Sequence, residues 1–187
     1  MIHRYLDPTI DLVFKKLFGD QKHASVTIDF LNNILGLKQG HLITTLDFND
    51  PFIRQENETD KASAVDVYCT DQAGKSYIIE MQADSESDFK ERCQHYIASK
   101  VSDQLNEGEL YERLTPVMLV AVLDFVLFPE HEQIISSHVL TDLHDGVCYL
   151  EHIKFNFIEL KKFKKTSAQL RDDVVVEIQC VVDVDVE

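Results

Sequence analysis

At 187 residues the chain has the length of one domain with a substantial core, and 44% apolar with 27% charged residues is an ordinary globular composition. A formal net charge of −15, about a third of it carried by residues 171–187, argues against a protein that coats nucleic acid by electrostatics alone. No apolar run reaches bilayer length, so no membrane span is expected.

The opening residues have no apolar signal core, so a cytoplasmic location is expected. Cys69, Cys93, Cys148 and Cys180 form no Cys-x-x-Cys pair and fit reduced thiols better than disulfides or zinc ligands.

Asp7 can N-cap a first helix with Pro8 at its first position; Ile10, Val13, Phe14, Leu17 and Phe18 form its apolar stripe and Gly19 ends it. A second helix is predicted over residues 22–35, with Val26, Phe30, Leu31 and Ile34 on one face. Residues 41–48 read as a strand and 49–61 as a polar loop.

A β-hairpin follows. Its first strand, about Ala64–Asp71, alternates Val65, Val67 and Cys69 with Ala64, Asp66 and Tyr68. Its second, about Lys75–Gln82, sets Tyr77, Ile79 and Met81 on one face and Ile78, Glu80 and Gln82 on the other. The connection Gln72-Ala73-Gly74 suits a three-residue loop closed by a left-handed glycine. Pairing Asp71 with Lys75 then places Asp66 directly opposite Glu80, about 5 Å apart at Cβ. A four-residue loop would instead put the two carboxylates on opposite faces.

Beyond the hairpin, Phe89, Cys93, Ile97, Val101 and Leu105 predict a long helix over residues 85–107, closed by Gly108. The apolar, β-branched run of residues 116–128 predicts a strand buried on both faces, inside a parallel or mixed sheet. Two further strands are expected at 134–140 and 148–157. Residues 172–187 alternate valine with acids and read as a poorly specified end. The order of elements is that of an α/β fold, a mixed sheet flanked by helices.

Like charges facing each other within apolar strands are costly unless something positive lies between them. The pair Asp66 and Glu80 therefore calls for a cation or a shared proton and marks a candidate divalent-metal site, the alternative being a hairpin whose carboxylates face solvent.

These residues resemble the PD-(D/E)XK nuclease superfamily, which has a restriction-endonuclease-like fold. More narrowly, Asp7-Pro8-Thr9-Ile10-Asp11 with Phe14-Lys15-Lys16-Leu17-Phe18-Gly19, followed by Asp60-Lys61, Asp66, Glu80-Met81-Gln82, Arg92 and Tyr96, is similar to the Rpn-type family of recombination-promoting nucleases and putative transposases. The superfamily's lysine after the second carboxylate is Gln82 here.

The resemblance implies a metal-dependent DNA endonuclease, with Asp66, Glu80 and Gln82 catalytic. Asp66, Glu80 and the Met81 backbone carbonyl are its implied ligands for Mg²⁺, for which Mn²⁺ can substitute. Asp11 is a further candidate ligand, equally readable as a solvated acid in a first helical turn. Lys15, Lys61, Arg92 and Tyr96 are candidates for contact with nucleic acid. For the two lysines the bland reading is solvated charge; for Arg92 it is a surface pair with Glu91 or Asp88, and for Tyr96 a core position. The resemblance makes DNA the expected partner and is compatible with a homodimer. Residues 1–170 are expected to form the nuclease-like domain and 171–187 an acidic, divergent tail. The rival reading is a nuclease-like domain that has lost activity and serves as a binding or assembly module. His138 and His144 lack metal-ligand spacing.

Overall fold

The computed structural model describes residues 10–53 and 63–164. The expectations for Asp7 and Pro8, for Asp60 and Lys61, and for the acidic tail lie outside these residues. The side chains of Asp11, Phe52, Ile53, Ser63 and Ala64 do too.

Helices α1 (Asp11–Phe18) and α2 (Ala24–Ile34) come first, joined through a short 3-10 turn at Gln21–His23. Strands β1 (Leu46–Phe48), β2 (Phe52–Ile53), β3 (Ser63–Ala64), β4 (Val67–Asp71) and β5 (Ser76–Gln82) lead to α3 (Phe89–Ser102). Strands β6 (Val117–Leu123), β7 (Ile135–Leu140) and β8 (Leu150–Glu159) complete a six-stranded sheet of order β1-β4-β5-β6-β8-β7. β6 lies at its centre, parallel to β5 and β8, while the remaining pairs are antiparallel. β2 and β3 form a separate two-stranded ladder.

Alternation along the strands divides the core into two layers. Val67, Cys69, Tyr77, Ile79 and Met81 pack with Phe14, Phe18, Phe30 and Leu31 of α1 and α2. Ile78, Leu119, Ala121 and Leu123 pack with Phe89, Cys93 and Ile97 of α3 on the opposite face. β6 is therefore covered on both sides, as its unbroken apolar run predicts.

Several predicted elements are shorter than expected, each for a visible reason. β1 begins only at Leu46. The backbone before it bonds side chains instead of a ladder: Ile43 N–H donates to Asn32, and Thr44 and Thr45 N–H share the Gln72 amide oxygen. α3 starts at Phe89, with Glu86 ahead of it paired to Arg92, and it ends at Ser102, so that Leu105 and the turn at Gly108 lie beyond the helix. β6 stops at Leu123; the N–H groups of Leu127 and Phe128 donate to the buried carboxylate of Glu159 at 2.6 and 2.9 Å. Lys162 Nζ closes this cluster at 2.6 Å from Glu159. Lys162 is thus structural, and its neighbour Lys161 pairs with Asp124.

The hairpin's first strand is not continuous. Ser63 and Ala64 pair with β2, Val65 N–H donates to Pro51, and the ladder with β5 starts at Val67. Across this break Val65 joins the α3 layer, whereas Val67 and Cys69 join the α1–α2 layer, so the three do not share one face. Asp66 sits at the bend.

Candidate active site

The turn fixes the register from which the site follows. Gly74 has φ +79°, Asp71 N–H bonds Lys75 C=O at 2.9 Å, and the Asp71 carboxylate accepts from the N–H groups of Ala73 and Lys75 and from the Tyr77 hydroxyl. Val67 pairs with Ile79 and Thr70 with Ser76. One step further along, Asp66 faces Glu80, as the three-residue loop predicts.

The bend at Asp66 frees its N–H from the ladder. That N–H donates to Glu80 Oε1 at 3.0 Å, and Met81 N–H donates to Asp66 Oδ2 at 2.7 Å. Each carboxylate is therefore held by backbone of the opposing strand. Asp66 is bound further by α1, whose Lys15 Nζ lies 3.1 Å from its Oδ1.

Glu80 is only 5% exposed. Burial, then the charge of Asp66, pushes its carboxyl up to about 8, against the opposing pull of the Asp66 N–H, Arg92 and Lys15. The Tyr96 phenol on α3 is buried, and burial followed by the Glu80 charge pushes it up to about 12. Burial and Glu80 do the same to the Cys93 thiol, also to about 12. The surroundings of Glu80 thus favour any added positive charge.

Gln82 ends β5 beside the start of α3. Its Oε1 accepts from Arg92 at 2.6 Å, and its amide N–H groups donate to the Asp84 carbonyl and to Glu86. Arg92 also pairs with Glu86 at 2.6 Å and stacks over Phe89 at 5.2 Å. Its Nε is buried with no hydrogen-bond partner among the described residues. Arg92 therefore pairs with Glu86 and Gln82, and not with Glu91 or Asp88. Tyr96, one turn along the same helical face, packs into the core under the site.

The structure thus brings together Asp66, Glu80, Met81, Gln82, Lys15 and Arg92, with Tyr96 beneath them. Asp11 opens α1, and Lys61 lies outside the described residues. Glu86 was not singled out by sequence reasoning, because as an acid ahead of a helix it carries no motif; its spacing of six residues from Arg92 is the only local signal. His138 packs against Phe128 at 5.0 Å and Phe157 at 5.5 Å, and burial, then His131, lowers its pKa. His144 lies in an exposed turn.

No three His, Cys, Asp or Glu side chains among the described residues converge into a metal cage. Two carboxylates with a neighbouring backbone carbonyl are nonetheless a donor set of hard oxygens. That chemistry fits Mg²⁺, which is held by one or two carboxylates and keeps several waters. The buried Glu80, its carboxyl raised by burial and by Asp66 beside it, is the observation that fits a cation here.

A six-stranded mixed sheet between helical layers, carrying acidic residues at the ends of β4 and β5, is a restriction-endonuclease-like α/β fold. The family model of the PD-(D/E)XK nuclease family transposases matches residues 8–179, and the chain belongs to this family. No curated protein and no solved structure matches the chain. Nucleases of this class typically use divalent metal ions, and no helix among the described residues is long and apolar enough to cross a membrane.

Proposed function

We propose that the chain is a Mg²⁺-dependent DNA endonuclease whose centre is the Asp66–Glu80 pair. The observation that carries this reading is the buried Glu80 facing Asp66 at the strand ends, with each carboxylate fixed by opposing backbone. Asp66, Glu80 and the Met81 carbonyl would hold the ion. When bound, a divalent ion supplies Lewis-acid charge at the phosphate and lowers the pKa of a water.

The chain's own residues position the rest. Gln82, held by Arg92, presents an uncharged amide beside the carboxylates and orients the attacking water. Arg92 and Lys15 lend positive charge near the phosphate, with Lys61 as a further cation, while Asp11 is a further candidate oxygen ligand for the ion. Tyr96 supports Glu80 from the core. Water attacks the phosphorus in line, and the leaving 3′ oxygen takes a proton from solvent. The domain spans residues 1–170 in this reading, acts in the cytoplasm, and cuts duplexes as a homodimer.

Plasmid cleavage with Mg²⁺, Mn²⁺ or EDTA tests this, comparing wild type with Asp66→Asn, which keeps an oxygen for the Met81 N–H. Metal-dependent nicking that the variant loses while melting near wild type is the expected result; full activity in Asp66→Asn would remove the site assignment. One observation favours the rival, an inactive binding or assembly module: Gln82 stands where the superfamily has lysine, and it is tied to Arg92 and Glu86. A wild type that neither nicks DNA nor melts at a higher temperature with Mn²⁺ would support that module.

A further inference from the structure

With an amide at position 82, the superfamily's usual source of positive charge beside the second carboxylate is missing. Arg92 does not replace it freely. Two contacts of 2.6 Å, to Gln82 and Glu86, and the stack on Phe89 commit its guanidinium to fixing the end of β5.

α1 delivers a second cation. Phe14 and Phe18 anchor this helix in the core, each 2% exposed, which fixes the azimuth of the residue between them. Gly19 lets the end of the helix close onto β4: a Cβ there would lie 2.7 Å from the Lys15 carbonyl and 3.2 Å from Val67 Cγ2. Val67 is the residue next to Asp66. With the end of α1 this near to β4, Lys15 Nζ lies 3.1 Å from Asp66 Oδ1. The Lys15 side chain is 43% exposed and that of Asp66 12%, so this ion pair lies within reach of a ligand arriving from solvent.

We propose that Lys15 is the catalytic cation of this site, supplying from α1 the positive charge that Gln82 cannot supply from β5. This rests on the nuclease reading and assigns one role within it. As the water oxygen forms its bond to phosphorus and gives a proton to solvent, the P–O3′ bond breaks and its electron pair stays on the 3′ oxygen, which solvent protonates. Lys15 transfers no proton. It neutralises charge on the non-bridging phosphate oxygens as they become more negative, an effect that grows in the transition state.

The test compares wild type, Lys15→Met and Lys15→Arg in steady-state nicking of supercoiled plasmid at saturating Mg²⁺, together with the Mn²⁺-induced rise in melting temperature without DNA. Lys15→Met keeps the length of the side chain and loses its charge. Expected is a fall in kcat of about 10²-fold with KM changed less than about threefold, partial recovery in Lys15→Arg, and an undiminished response to Mn²⁺. Three outcomes overturn the proposal while leaving the nuclease reading intact, given an active wild type. One is Lys15→Met cleaving within about threefold of wild type. Another is a loss confined to KM, which makes Lys15 a simple anchor. The last is a lost response to Mn²⁺, which makes it a support for Asp66. A wild type that cleaves nothing in any metal overturns both readings.

Discussion

Replacing Glu80 by glutamine removes one ionisable group and keeps an oxygen for the Asp66 N–H, so its consequence can be worked out. In the folded chain the Glu80 carboxyl holds its proton up to about pH 8, against an ordinary value of 4.5. Between those values the native state binds a proton that the unfolded state has released, so stability falls as pH rises. At about 1.4 kcal/mol per pH unit the loss reaches about 3 kcal/mol at pH 7 and levels off near 5 kcal/mol above pH 8. Glu80→Gln escapes this loss. The melting temperatures of variant and wild type, measured in EDTA, should diverge by about 6–12 °C between pH 4.5 and 7, with the variant higher. Taking the difference between the two proteins cancels the other titrating groups. With Mn²⁺ at pH 7.5 the wild type should recover stability and Glu80→Gln should not. Parallel melting curves across this range would refute the reasoning, because Glu80 would then be as ionised in the fold as in the unfolded chain.

Two further substitutions probe the frame around the site. Glu159→Ala leaves the half-buried Lys162 ammonium with only the Phe128 carbonyl and strands the N–H groups of Leu127 and Phe128, and should cost about 3 kcal/mol in urea unfolding. Gly74→Ala forces a side chain into φ +79°, where the neighbouring Thr115 leaves room at 3.5 Å, so the cost is backbone strain of about 1–2 kcal/mol by the same assay.

The hairpin was the most legible part of the chain, because its register is set locally. Gly74 selects the loop, the loop selects the pairing, and Asp66 then meets Glu80 with no reference to the remaining fold. The covered central strand β6 was legible for a similar reason, its apolar run being readable without knowing its neighbours. What escaped depends on partners distant in sequence. The bend at Asp66 arises because Ser63 and Ala64 pair with β2, and that pairing splits an alternation which looks continuous in one dimension. The pairing of Lys15 with Asp66 joins residues far apart in the chain through the packing of α1, and Lys15 alone carried only the signal of an exposed helical base. Glu159 was hidden likewise: an acid at the end of an apolar strand shows its role only once the backbone of Leu127 and Phe128 folds over it.

The Asp71 turn has a consequence for how the molecule assembles. Asp66 and Glu80 are separated by only 14 positions, and the loop between them is closed by its own side chains, since Asp71 binds Ala73, Lys75 and Tyr77. A contact of such short sequence separation carries a small loop-closure entropy, so the carboxylates can meet while β5 and β6, joined through the α3 crossover, are still apart. In the open hairpin Glu80 still titrates as an ordinary carboxylate, and the proton it holds in the fold is taken up as burial proceeds. A hairpin that closes this early sets both carboxylates in place before the sheet and helix that bury Glu80 have formed around them.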